Sequence, residues 1–179
     1  MLFRSIAIWR NKENLAELTK PVDKDRWGMA PQTVNAYYNP SNNEIVFPAA
    51  ILQPPFYNYQ ADEAVNYGGI GGVIGHEISH GFDDSGARYN ADGNLVDWWT
   101  PEDLKKFGAL TGALAAQYSA LQPLPGTFVD GKFTLGENIG DLGGVNAAYD
   151  GLQLYLKENG NPGLIDGYTP EQRFFISWS

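Results

Sequence analysis

Residues 71–84 read GGVIGHEISHGFDD and hold both histidines of this 179-residue chain, His76 and His80, four positions apart with Glu77 between them. Positions four apart lie one above the other on an α-helix, so two imidazoles can reach one metal ion. Glu77 is turned by about 100° from His76 and stands beside such an ion, near a bound water. Glycines at 68, 69, 71, 72 and 75 weaken the same helix, each by up to ~1 kcal/mol relative to alanine. A helix that tolerates them needs something to approach its backbone closely. Ile70, Val73, Ile74 and Ile78 around the motif predict a buried helix, in which an unpartnered imidazole is costly. The alternative is a helix with two surface histidines that match a five-residue pattern by chance.

A catalytic zinc takes three protein ligands and keeps one position open. With no cysteine and no further histidine in the chain, the third ligand has to be Asp or Glu. LGENIGDLGG offers Glu137 and Asp141, again four apart, with Ile139, Leu142, Val145 and Tyr149 forming an apolar surface to one side. One carboxylate could ligate while the other accepts the N–H of a ligand histidine and fixes its orientation. Two solvated acids at a helix N-terminus are the alternative. Asp83 and Asp84, directly after the histidines, read equally as carboxylates behind the ligands or as a solvated helix exit.

Around these motifs the pattern predicts a helix over 3–19 stopped by Pro21, a hairpin within 33–52 turning at NPSNN, and a Pro-rich aromatic loop. A helix over 62–81 carries the histidines. ARYNADGNLVDWW reads as a second hairpin with Asp92-Gly93 at its turn, which accounts for it better than a calcium loop does. Thr100 caps a helix to about Gln122, another helix ends at Gly160, and Thr169-Pro170 opens a last one. Helices with small antiparallel ribbons make an α+β domain. The formal charge of −9 argues against nucleic acid and anionic membrane as partners. No apolar run approaches the ~20 residues of a membrane span, and MLFRSIAIW is a poor signal peptide. The absence of cysteine fits a reducing compartment or a disulfide-free exported protein. TPEQRFFISWS ends about two turns into its helix, which suggests a fragment.

VNAYYNPSNNEIVFPAAILQPPFYNY, NYGGIGGVIGHEISHGFDDSG, DGNLVDWWT and LGENIGDLGG, in this order, resemble the neprilysin family of zinc metallopeptidases, its cysteine-free bacterial oligopeptidases in particular. The resemblance runs from about Lys20 onward. It implies a thermolysin-like zincin catalytic domain, mostly helical with small antiparallel β-ribbons, partial over 20–179 and preceded by a helical lead-in over 1–19. It implies one Zn²⁺ per chain held by His76, His80 and Glu137, with Glu77 the general base that activates zinc-bound water and Asp141 orienting a ligand histidine. Asn35 and Ala36 match the family's edge that hydrogen-bonds substrate backbone. Ile51, Phe56 and Val73 match the pocket for the residue after the scissile bond, and ordinary core packing is the alternative for Ile51 and Phe56.

The expected partners are peptide substrates, cut before hydrophobic residues; the resemblance favours an extracytoplasmic location, with a cytoplasmic one as the alternative. A downstream histidine and arginine and a large helical lid belong to the family's pattern and are expected outside this chain. Without them, a catalytically inactive zinc-binding fragment or regulatory domain is the alternative function, and Phe174, Phe175 and Trp178 are expected to lie exposed.

Overall fold

The computed structural model describes residues 2–179, which form six α-helices and one two-stranded sheet. Helix α1 (Leu2–Glu17) comes first and buries no residue. Strands β1 (Tyr37–Asn39) and β2 (Glu44–Val46) pair antiparallel, Tyr37 opposite Val46 and Asn39 opposite Glu44. They are shorter than the sequence suggests, for local reasons. The N–H groups of Thr33 and Asn35 are held in tight turns by the carbonyls of Ala30 and Thr33, and Pro48 has no N–H to extend β2. Asn35 and Ala36 therefore precede β1.

The helix expected over 62–81 is continuous but not uniform. Asp62 caps α2 (Glu63–Asn66) by accepting the Ala64 N–H at 3.1 Å. A π-helical turn over Tyr67–Gly71 comes next, then α3 (Gly72–Ser79) and a 3₁₀ turn over His80–Phe82. The second expected hairpin reduces to a single bridge between Tyr89 and Leu95. The Asn90 side chain accepts the N–H groups of Asp92 and Asn94, drawing the backbone into a turn at the cost of a ladder.

Helix α4 (Pro101–Ser119) starts on the Thr100 cap and stops slightly before Gln122. Helix α5 (Leu135–Asn159) ends at Gly160, whose φ of +90° suits glycine. Helix α6 (Pro170–Trp178) opens with a capping box between Thr169 and Gln172. Phe174 and Leu152 are fully buried with Ala64 and Ala148 in the main core between α2, α5 and α6. Of the three aromatic residues expected at the surface of α6, only Phe175 is exposed. Phe174 turns inward because the glycines of the π turn let α6 lie directly on the chain there.

Those glycines account for the close approach that the sequence calls for. A side chain at Gly68 would overlap the Phe174 carbonyl, and one at Gly72 would lie 2.5 Å from the Trp178 ring. One at Gly75 would lie 2.7 Å from the Gly144 Cα of α5. Ser177 adds a hydrogen bond to the Val65 carbonyl, and buried Arg173 pairs with Asp62 at 3.1 Å. The α2–α3 helix is thus clasped between α5 and α6. Its third face stays open: Ile74 and Ile78, expected to be buried, are 38% and 50% exposed, with Ile78 lining an apolar groove beside Tyr38, Phe82 and Trp98.

Candidate metal centre

His76 on α3 and His80, which opens the 3₁₀ turn after it, stand side by side, their rings nearly perpendicular with centroids 4.6 Å apart. The touching backbones at Gly75 and Gly144 bring α5 beside them, and Gly140 lies directly under the His76 ring. Glu137, in the first turn of α5, then points back at both histidines. Its Oε2 lies 3.3 Å from His76 Nε2 and 3.9 Å from His80 Nε2. One donor atom from each of the three residues falls within 4.8 Å of the others. Zinc–ligand bonds of about 2.0–2.1 Å place tetrahedral donors about 3.3 Å apart, so the donor set fits such an ion with small side-chain adjustments.

The remaining ring nitrogens are both taken by carboxylates. His76 Nδ1 lies 2.8 Å from Asp141 Oδ1, and His80 Nδ1 lies 2.7 Å from Asp83 Oδ2. An Nδ1–H donated to each carboxylate fixes the tautomer that leaves both Nε2 lone pairs directed at Glu137. Asp83, read from the sequence as equivalent to Asp84, differs from it here. Asp83 is 6% exposed and its Oδ1 accepts the N–H groups of Ser85 and Gly86, while Asp84 is exposed. Burial alone would raise the Asp83 carboxyl, but hydrogen bonds from His80, Gly86 and Ser85 outweigh it and hold it below its usual range. The Asp83 hydrogen bond in turn raises the His80 imidazole against the opposing effect of burial.

Glu77 is outside the donor cluster and buried to 6% exposure, beside the Tyr38 backbone. Burial is the main cause that lifts its carboxyl above the ordinary range, with Glu137 adding to it and the two histidines opposing. Met29, Asn35, Ala36, Pro40 and Tyr89 line the cleft of about 520 Å³ in which this cluster stands. Ile51, Phe56 and Val73 do not line that cleft. They pack together with Ala36, Phe47 and Ile70 in an apolar cluster next to it, Ile51 almost wholly buried. Sequence reasoning passed over the Tyr38 backbone and the placement of Met29, since both follow from how loops fold back over β1.

The sequence model of peptidase family M13 matches residues 35–179. The chain belongs to peptidase family M13. Metallopeptidases of this family are zinc-dependent. The M13 chain is 44% identical to Neprilysin-11 of Caenorhabditis elegans over 99% of its own length and 22% of that protein. It is 45% identical to human Neprilysin over 93% of its length and 23% of that protein. Among solved structures, the inhibitor complex of the Mycobacterium tuberculosis zinc metalloprotease Zmp1 superposes with a TM-score of 0.90 at 60% identity. That match covers 94% of this chain and 26% of the other. The chain spans about a quarter of the length of these relatives.

Proposed function

We propose that the M13 chain carries the zinc-holding and water-activating part of an endopeptidase that cuts oligopeptides before hydrophobic residues. One observation carries this reading: two Nε2 atoms and Glu137 converge in a cleft, both Nδ1 atoms rest on carboxylates, and buried Glu77 stands alongside. His76, His80 and Glu137 would hold one zinc ion. Zinc there supplies Lewis acidity, polarising the scissile carbonyl and acidifying water toward a pKa of about 7.

Glu77 takes a proton from the attacking water and delivers it to the leaving amine. Its raised carboxyl suits that exchange, since a base works best when its pKa lies near the working pH. Asp141 and Asp83 keep both imidazoles in the ligating tautomer. Asn35 and Ala36, in the cleft wall just before β1, would meet an extended peptide there, the role that the family resemblance implies. The apolar cluster of Ile51, Phe56 and Val73, which meets the cleft at Ala36, supports a hydrophobic residue after the scissile bond. No helix among the described residues is long and apolar enough to cross a membrane. Extracytoplasmic work, as the family resemblance implies, is part of the proposal.

Zinc analysis of purified protein tests the centre: one ion per chain is expected, weakened in Glu137→Ala. Glu77→Gln should keep the ion and lower peptide cleavage by about 10²–10⁴-fold. A second reading, zinc binding without catalysis, rests on the histidine count. Both histidines of the given sequence belong to the donor set, so neither is free to stabilise a developing oxyanion, a task whose loss costs ~10²–10³ in rate. Bound zinc with no cleavage of any peptide would favour that second reading, and folded protein without zinc would overturn both.

A further inference from the structure

Each histidine of the centre has a carboxylate behind it, whereas Glu137 has to be held by its backbone. Its side chain is 73% exposed, and its carboxylate pairs with the two imidazoles alone among the described residues. Glu137 stands in the first turn of α5, and first turns fray where their N–H groups lack partners. The Thr134 side chain caps none of those N–H groups. The turn is kept in place from both sides of Thr134 instead.

On the N-terminal side, Asp130 Oδ1 accepts the N–H groups of Lys132 and Phe133, both at 3.1 Å. The Asp130 carbonyl accepts the Thr134 N–H at 3.1 Å and the Thr134 hydroxyl at 3.2 Å. This segment is seated on α4: the Gly131 N–H donates to Ser119 Oγ at 3.1 Å, and a Cβ at Gly131 would overlap the Ala115 carbonyl. On the other side, Asn138, directly after Glu137, closes the connection. Its backbone N–H donates to the Thr134 carbonyl at 3.0 Å, and its Nδ2 donates to Thr134 Oγ1 at 2.9 Å. Asn138 is 7% exposed, and a buried amide is costly unless a partner offsets its desolvation. Gly136, directly before Glu137, lies against the support of the neighbouring ligand: a Cβ there would stand 3.3 Å from Asp83 Oδ2. A shift of this turn would therefore be felt by Glu137 and by the partner of His80 together. We propose that Asn138 is a positioning residue of the metal centre. Through Thr134 and Asp130 it ties the turn that carries Glu137 to α4, a role that rests on the proposed reading of Glu137 as a zinc ligand.

The test titrates the whole 179-residue chain with zinc in a calorimeter and, in parallel, with Co²⁺. Cobalt suits the same nitrogen and oxygen donors, and its visible absorption follows its coordination geometry. Asn138→Ala should weaken zinc binding about tenfold and shift the cobalt bands. Thr134→Val removes the hydroxyl at nearly constant volume and should do the same. The double variant should be about as weak as either single one, since both break one connection. Thr134→Ser keeps the hydroxyl and should stay close to wild type in both readouts. Thr169→Ala removes the cap of α6 and should lower the melting temperature to a similar extent, with zinc affinity and cobalt bands unchanged. Wild-type affinity and bands in folded Asn138→Ala and Thr134→Val overturn the positioning role, and so does the same change in Thr169→Ala. If Asn138→Ala does not fold, the comparison of Thr134→Val with Thr134→Ser decides. Zinc bound equally by wild type and these variants leaves the metal centre standing and removes only the role of Asn138. A folded wild type that takes up no zinc overturns the metal-centre reading and this role with it.

Discussion

At the scale of single residues, the centre depends on what lies behind each imidazole as much as on the imidazoles. His76, Glu77 and His80 are legible from their spacing alone, because helix geometry dictates which face each takes. The partner of His80 is not, since Asp83 and Asp84 are adjacent and chemically identical. The choice is made by the 3₁₀ turn after Ser79 and by the two backbone N–H groups that Asp83 alone receives. Removing the charge with Asp83→Asn should cost about 10–100-fold in zinc affinity at alkaline pH. A proton competes with the metal for His80, whose pKa the Asp83 hydrogen bond raises above the ordinary 6.5. Zinc affinity should therefore start to fall above that value as pH drops, approaching about tenfold per unit, and in Asp83→Asn the fall should begin at lower pH. In the metal-free chain the signs are opposite for the two partners. The raised His80 contributes stability that is complete below 6.5 and lost as pH rises through its folded value. The lowered Asp83 contributes stability above 3.8 that is lost as pH falls through its folded value. Melting temperatures of metal-free wild type and Asp83→Asn should differ most between those limits; equal curves at every pH would separate this pair from the fold's stability.

At the scale of elements, the helices were legible where their ends carry chemistry: Thr100 and Thr169 as caps, Gly160 as a stop. The need for close approach at the glycine-rich helix was legible too, but not its agents. Which backbone meets which glycine is a tertiary fact, and it is also why a π turn interrupts the helix and why Phe174 points inward. The short β1 and the single Tyr89–Leu95 bridge were misjudged because side chains and tight turns capture N–H groups that a ladder would need. These contacts give a sharp comparison between glycines. Gly144→Ala forces a methyl onto the Gly72 carbonyl and the His76 backbone, an overpacking that should cost about 1–3 kcal/mol and move Glu137 away from the histidines. Gly112→Ala, on the exposed side of α4 with nothing within 4 Å, should instead gain roughly 0.5–1 kcal/mol. Thermal unfolding and zinc titration of both variants check this. Loss of stability in Gly144→Ala with unchanged zinc affinity would mean that the crossing supports the fold but not the donor geometry.

At the scale of the whole molecule, everything that builds the centre lies between Met29 and α6, and α1 stands apart from it. Helix α1 buries none of its residues, and Leu2, Phe3, Trp9 and Leu15 are between 56% and 88% exposed. Its last turn is joined to the next segment by an exposed Lys20–Glu17 pair, and such pairs contribute ~0–1 kcal/mol. Apolar surface that stays in water in the folded chain gives no return on folding, so α1 has little to add to stability. The sequence divides the chain at 19/20, and a deletion up to that point tests the division. Deleting residues 1–19 should leave the melting temperature within about 2–4 °C, the shift that ~1 kcal/mol produces in a domain of this size. Zinc affinity should be unchanged, because neither the clasp on α2–α3 nor the Met29 loop draws on α1. Binding of an apolar dye should decrease, since the deleted helix contributes much of the exposed aromatic and aliphatic surface. A fall in melting temperature well beyond that range would assign α1 a part in the fold that its exposure does not reveal, and would move the boundary toward the first residue.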